Sequence, residues 1–296
     1  MIFQYIEPVF RPPAEANSLI IQVTNGCSWN RCTYCEMYTQ KQKKFSTRKE
    51  IDILNEIEVI SHHKDSSAIK RIFLADGDAM VLSTEKLLKI LEAIKEKIPS
   101  VNRVGSYCLP RNIKNKSDRE MLELKDAGLG IAYVGAESGD DTVLKKIDKC
   151  ETFKSTLEGL QKLQRANIKR SVMLLNGMGG KTLSMQHAVN SAKLVNESQP
   201  ELLATLVVSF PNGEDRLKKQ FPEFEMLNVW ELIREMKTFL EHTELQRTIF
   251  RSNHASNYIE LRGTLGKSKD ALLKQIDDVL ANQNEMDLKP EWLRGL

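Results

Sequence analysis

Short apolar and β-branched runs alternate with longer amphipathic segments through the middle of this chain. The runs fall at residues 19–23, 70–74, 102–107, 130–134, 169–175 and 202–209. Between them, apolar positions recur at helical spacing and predict helices over 48–62, 83–98, 117–127, 140–166 (broken near Lys149) and 183–198. Ser83 ahead of Lys86-Leu87-Leu88, and Ser117 ahead of Glu120-Met121-Leu122, carry the pattern of capped helix starts. Strands separated by helices imply parallel βαβ units. The fold class expected is α/β, a partial (β/α)6 TIM-type barrel.

Beyond Pro211 the alternation stops. Residues 212–227 are charged and irregular, 229–241 read as an amphipathic helix, and a last helix is expected at 268–281. The expected division is a core barrel over 1–211 and a short C-terminal extension over 212–296 that covers the barrel mouth. Barrels of this kind hold their chemistry at the C-terminal ends of the strands. Those ends are Asn25-Gly26-Cys27, Asp76-Gly77-Asp78, Ser106-Tyr107, Gly135-Ala136-Glu137-Ser138, Asn176-Gly177-Met178-Gly179-Gly180 and Phe210-Pro211. Small and polar residues gather at every one.

Composition narrows the class without changing the fold. Of 296 residues, 41% are hydrophobic and 28% charged, an ordinary soluble balance. A net charge of +3 is too small to argue for nucleic acid. No apolar run reaches the roughly 18 residues that would cross a bilayer, so no membrane is expected. Met1 to Arg11 lacks a basic segment leading into an apolar stretch. Five cysteines, three of them clustered, do not make a disulfide framework and fit a reducing cytoplasm.

The three clustered cysteines carry the chemistry. Cys27, Cys32 and Cys35 are spaced C-x4-C-x2-C just after the first strand. Thiolates are soft ligands and point to zinc, copper(I) or iron–sulfur chemistry. A two-iron ferredoxin site needs a fourth cysteine nearby, whereas the next are Cys108 and Cys150. Structural zinc needs a fourth Cys or His close by, and the nearest histidines, His62 and His63, end a helix. A four-iron cluster with one open iron remains, alongside a rival reading as a non-catalytic iron–sulfur or zinc-binding protein for electron transfer or assembly.

The loop after the first strand, its three cysteines and the aromatic Tyr34 directly before the last one resemble the radical S-adenosylmethionine (SAM) superfamily. Most members space the cysteines C-x3-C-x2-C, so this chain has one extra residue in the first gap. Asp76-Gly77-Asp78 stands where the superfamily has a Gly-Gly-Glu-like turn that holds the SAM amino group. Gly135-Ala136-Glu137-Ser138-Gly139 resembles the G-x-E-S-G segment of the branch with tRNA methylthiotransferases, Elongator-type enzymes and oxygen-independent coproporphyrinogen oxidase. Residues 177–180 correspond to that branch's glycine-rich turn. The resemblance covers roughly residues 17–211.

The resemblance implies a [4Fe-4S] cluster on Cys27, Cys32 and Cys35, with SAM chelating the fourth iron. Reductive cleavage of SAM would give a 5′-deoxyadenosyl radical that abstracts hydrogen from an unidentified small or medium-sized substrate. Tyr34, Asp76, Gly77, Asp78, Ser106, Glu137, Ser138 and Gly177 are the expected SAM contacts, and one of Lys145, Lys146 and Lys149 is a candidate for its carboxylate. Lys41, Lys43, Lys44, Arg48 and Lys49 read as a solvated basic face. The alternative use of that face is docking a low-potential reductant such as flavodoxin or ferredoxin. Outside the core, Arg251, Asn253, His254 and Asn257 are candidates for contact with a polar small-molecule or peptide substrate. With only Cys108 and Cys150 left over, a second cluster is not expected, which argues against sulfur insertion.

Overall fold

A computed structural model describes residues 5–284, 286 and 288–294. The chain forms two compact units: Met1–Asn30, Cys35–Val134 and Glu158–Arg170 make the first, and Arg31–Tyr34, Gly135–Leu157 and Ser171–Leu296 the second. The main sheet is eight-stranded and mostly parallel.

The first unit opens with β1 (Leu19–Gln22) and β2 (Thr24–Asn25), followed by β3 (Ser46–Thr47), α1 (Glu50–Ser61), β4 (Arg71–Ala75) and α2 (Thr84–Lys97). Then come β5 (Arg103–Tyr107), α3 (Pro110–Ile113), α4 (Asp118–Asp126) and the start of β6 (Leu129–Glu137). Strands β1, β4, β5 and β6 pair in parallel. Ile72, Phe73, Leu74 and Ala75 are all buried, which is why β4 reads as an unbroken apolar run rather than an alternating one. Helix α2 buries Leu87, Ile90, Leu91 and Ile94, and Ser83 accepts from Lys86 N at its start. Ser117 and Glu120 form a reciprocal capping box on α4.

The second unit holds α5 (Asp141–Lys146), the start of α6 (Phe153–Arg165), most of β7 (Lys169–Asn176), α7 (Gly180–Ser198) and β8 (Leu202–Val207). It continues with α8 (Asp215–Lys218), α9 (Val229–Glu241), β9 (Ile249–Ser252), β10 (Leu261–Thr264) and α10 (Lys269–Asn282). The predicted break near Lys149 is real: Asp148 and Cys150 both take left-handed φ values, +49° and +61°, and end the first helix. An apolar cluster of Val143, Leu144, Ile147, Met178, Val208, Leu217, Phe221 and Phe224 fills this unit, with Tyr34 and Leu183 against it.

The six predicted strands are present, and residues 212–296 add two more to the sheet. Strand β9 pairs in parallel with β8, and β10 antiparallel with β9. Residues 251–257 read as too polar for a core strand, yet Arg251 and Ser252 end one. Phe250 and Ser252 point inward while Ile249 and Arg251 stay exposed, so a serine occupies one of two buried positions. Among the described residues, no helix is long and apolar enough to cross a membrane.

Candidate cofactor site

The cysteine loop is closed at its base by a two-residue ribbon in which β2 pairs antiparallel with β3. Cys27 and Cys35 lie between these two strands in the same unit, and each of the three clustered cysteines is part-buried. Asn25 holds the returning limb by donating to the carbonyls of Gln42 (2.7 Å) and Lys44 (2.9 Å). Gly26 is left-handed at φ +67°, and a Cβ there would lie 2.2 Å from the Lys43 carbonyl oxygen, so only glycine fits.

The turn after β4 is bonded to this loop residue by residue. Gly77 N donates to Gly26 O at 3.1 Å. A Cβ on Gly77 would stand 2.9 Å from the Cys27 Cβ, which is the close approach that its glycine permits. Asp76 accepts from Tyr38 Oη (2.8 Å), from Gly26 N (3.3 Å) and from Lys43 Nζ, and both Lys43 and Asp76 side chains are fully buried. Its carboxylate is thus hydrogen-bonded to three groups of the protein. Lys43 leaves the expected basic face for this pairing, and Arg48 leaves it to pair with Glu56 at 2.6 Å. Lys41, Lys44 and Lys49 stay exposed.

Asp78 differs from Asp76 in one respect. Its Oδ2 accepts from Ser28 Oγ and from Asn112 Nδ2 (2.7 Å), while its buried Oδ1 has no partner. Burial pushes its carboxyl up to about 6 despite the Ser28 and Asn112 hydrogen bonds. Ser106, fully buried, donates to the Tyr107 carbonyl at 2.8 Å. The Tyr107 phenol is held above its usual range by burial, with Asp76 and the Cys35 thiol adding to the effect.

In the second unit, residues 31–34 of the cysteine loop lie against 147–149. Thr33 N donates to Ile147 O at 2.9 Å, and Arg31 pairs with Asp148 at 3.1 Å. Lys149 Nζ reaches Tyr34 Oη (3.4 Å) and Glu137 Oε1 (2.8 Å), and Lys149 and Glu137 are both buried. Glu137 itself is left-handed at φ +64°, an uncommon conformation for a residue with a side chain. A Cβ on Gly135 would stand 2.2 Å from its Oε1, so that glycine makes room for the folded-back carboxylate. Of the three candidate lysines, Lys149 joins this group. Lys146 instead pairs with Glu223 (2.5 Å), and Lys145 is exposed.

Ser138 is fully buried, with its Oγ 2.8 Å from His187 Nδ1. His187 Nε2 lies 3.0 Å from the Leu175 carbonyl, which only accepts, so Nε2 carries a proton. In the neutral ring the Ser138 hydroxyl then donates to Nδ1 while its oxygen accepts from Asp140 N (3.0 Å). Gly177, at φ +87°, donates its N–H to Glu235 Oε1 at 2.5 Å.

The four residues expected to meet substrate are dispersed in role. The buried Asn257 accepts from Val207 N (3.0 Å) and donates to Thr205 O (2.9 Å), bracing the end of β8. His254 shares Nδ1 with Ser256 Oγ at 2.9 Å, and burial lowers its pKa, with Lys289 nearby adding to the shift. Arg251 and Asn253 are exposed. Sequence reasoning missed Ser28, Tyr38 and Asn112 as parts of the site. Their partners lie 34 to 50 positions away in the chain. No local spacing signals such pairs. Among the described residues, no group of three or more Cys, His, Asp or Glu side chains is already gathered as a metal site.

The sequence model of the radical SAM superfamily matches residues 21–195. Heme chaperone HemW of Bacillus subtilis (strain 168) is 23% identical over 168 residues, covering 54% of this chain and 43% of that protein. GTP 3′,8-cyclase of Rhizobium leguminosarum bv. trifolii (strain WSM2304) is 25% identical over 219 residues, covering 73% of this chain and 59% of that protein. The chain spans about half the length of the curated relatives it matches. The solved coproporphyrinogen III oxidase HemN from Escherichia coli, described as a radical SAM enzyme, superposes with a TM-score of 0.54. Its identity is 12% over 76% of this chain and 52% of that one, a likeness of fold alone. The superfamily's enzymes use a [4Fe-4S] cluster and SAM, and they need a reductant and a substrate. A match over more than half of the residues, on a chain with this sheet and this cysteine loop, makes the protein a member of the radical SAM superfamily.

Proposed function

We propose that Cys27, Cys32 and Cys35 hold three irons of a [4Fe-4S] cluster, and that Asp78 receives the ammonium group of SAM bound at the fourth. The donor set fits the cluster: three part-buried thiols on one clasped loop, with no fourth cysteine in it. The observation that carries the reading is the buried, unpartnered Oδ1 of Asp78 on the turn bonded to that loop. A cation with hydrogen-bond donors is what such an oxygen lacks. When bound, the cluster supplies the electron that cleaves SAM to methionine and a 5′-deoxyadenosyl radical.

The chain's own groups bind and orient. Asp76, neutralised by Lys43, holds the limbs of the cysteine loop at Gly26 and Tyr38. Glu137 and Lys149, a buried pair, offer one acceptor and one donor for the ribose hydroxyls and the carboxylate of SAM. Gly77 and Gly177 let backbone come close where a side chain would collide. Exposed Lys41, Lys44 and Lys49 are the basic face for an acidic low-potential reductant such as flavodoxin or ferredoxin. The segment around Arg251, Asn253 and His254 in the C-terminal extension is the proposed contact for the small or medium-sized substrate from which the bound cofactor would abstract hydrogen. An oxygen-sensitive cluster of this kind fits a reducing cytoplasm.

Anaerobic reconstitution should load about four irons per chain. Dithionite with SAM should then release 5′-deoxyadenosine. Zinc in place of iron would overturn the cluster assignment. A fully loaded cluster that leaves SAM intact would favour the non-catalytic rival. Cys32→Ala should abolish iron loading and cleavage together.

A further inference from the structure

Glu235 and His187 are buried titratable groups with no place in the chemistry above. Glu235 lies on α9, in residues 212–296, beyond the part of the chain that the superfamily match covers. Its two carboxylate oxygens are both engaged, Oε1 with Gly177 N and Oε2 with Ser184 Oγ, each at 2.5 Å. His187, on α7, stands 3.9 Å from the same carboxylate and joins the Leu175 carbonyl to Ser138. The end of β6, the end of β7, α7 and α9 therefore meet in one hydrogen-bonded group, in which Ser138, His187 and Glu235 are all buried.

We propose that Glu235 is a positioning residue for SAM, holding the left-handed Gly177 turn from the C-terminal helix while His187 holds Ser138. This rests on the reading that Gly177 and Ser138 border the SAM site. Three observations carry it. A carboxyl with a side-chain exposure of 1% is costly to bury in its charged form: burial pushes its pKa up, against the pull of His187 and of its two hydrogen bonds, so packing alone does not explain a glutamate here. One of its two acceptor contacts goes to the backbone of the turn itself, the other to Ser184 on α7. The turn residue itself is a glycine at φ +87°, where a side chain would be strained, so the turn is held from outside. Ser138 becomes a residue that orients backbone, its hydroxyl occupied by His187.

The test compares Glu235→Leu, which removes the acceptor, with Glu235→Gln, which keeps an acceptor oxygen for Gly177. Two measurements are made: amide exchange over residues 175–180 in the cofactor-free chain, and SAM dependence of dithionite-driven cleavage by the reconstituted chain. Glu235→Leu should raise exchange over 175–180 at least about tenfold and KM for SAM at least about fivefold, with kcat within about twofold. Glu235→Gln should stay within about twofold of wild type on both. Unchanged exchange in the leucine variant overturns the clamp, and so does equal KM impairment in both variants. If the leucine variant does not fold, Glu235→Asp, one methylene short of Gly177, takes its place with the same outcomes expected. Failure of the wild-type chain to cleave SAM would sink the proposed function, whereas the exchange measurement still decides the clamp.

Discussion

Replacing Lys43 with methionine removes a cation from a site where nothing else can neutralise Asp76. Both side chains are 0% exposed, so water cannot take over the charge. Removing one partner of such a pair typically costs about 3–5 kcal/mol, because the other charge is left stranded. Two donors remain on Asp76, the Tyr38 hydroxyl and the Gly26 amide, and they keep the loss toward the lower end of that range. Methionine matches the length of the lysine stem, so little of the effect comes from a cavity.

The double variant Lys43→Met/Asp76→Asn separates charge from shape. The asparagine oxygen still accepts from Tyr38 or Gly26, and no ion is left unpaired. Urea unfolding of the iron-free chain, followed by circular dichroism, should show the single variant losing about 3 kcal/mol or more. The double variant should recover at least about 2 kcal/mol of that, a coupling outside the range of independent sites. A Lys43→Met loss under about 1 kcal/mol, or a double variant no better than the single, would refute the buried-pair account. Iron loading adds a second readout, since both limbs of the cysteine loop hang from Asp76.

Gly26→Ala forces a side chain into a left-handed residue and 2.2 Å from a backbone oxygen, so it should cost at least about 2 kcal/mol and most of the iron loading, checked by unfolding and iron assay. Lys149→Met should raise KM for SAM about tenfold at unchanged iron content; a KM within about twofold would remove Lys149 from the site. Asp78 has a carboxyl raised from 3.8 to about 6, so the folded chain keeps a proton that the unfolded chain has already released. Its contribution to the cofactor-free chain is therefore most favourable below about pH 4 and is lost as pH climbs through about 6, by up to about 3 kcal/mol. Asp78→Asn should flatten that slope in a pH series of unfolding curves, and a slope left intact would show that another group produces it.

The strands were legible because parallel strands buried on both faces must be written as apolar runs, as Ile72-Phe73-Leu74-Ala75 is. The helix starts at Ser83 and Ser117 were legible because capping is local chemistry. Lys43 was not. It stands in a run of five basic residues within nine positions, and only the tertiary fold brings Asp76 to it. Strand β9 was hidden for a related reason, since Ser252 fills an inward position and Arg251 an outward one. A period-two pattern built from Phe, Arg and Ser does not look hydrophobic, and β8 supplies the pairing that fixes it. Glu137 and Lys149 lay in plain sight as types, but their pairing depends on left-handed backbone at residues 137, 148 and 150.

Asp76 and Asp78 read as equivalent, two carboxylates flanking one glycine. Their donors make them opposites. Asp76 has an amide, a phenol and an ammonium, so its charge is answered and its oxygens are occupied. Asp78 has side-chain donors, Ser28 and Asn112, on one oxygen and no hydrogen-bond partner on the other, and burial outweighs those bonds, the Ser28 backbone and the Arg111 charge to push its carboxyl up to about 6. A buried carboxylate in that state destabilises the free chain by about 3 kcal/mol at neutral pH. An ammonium group at Oδ1, as proposed, would relieve part of that cost, and about 1.4 kcal/mol of relief corresponds to tenfold in affinity. The turn thus divides its labour by hydrogen-bond count: one aspartate holds the cysteine loop, and the other keeps a buried oxygen for the ammonium group proposed to reach it.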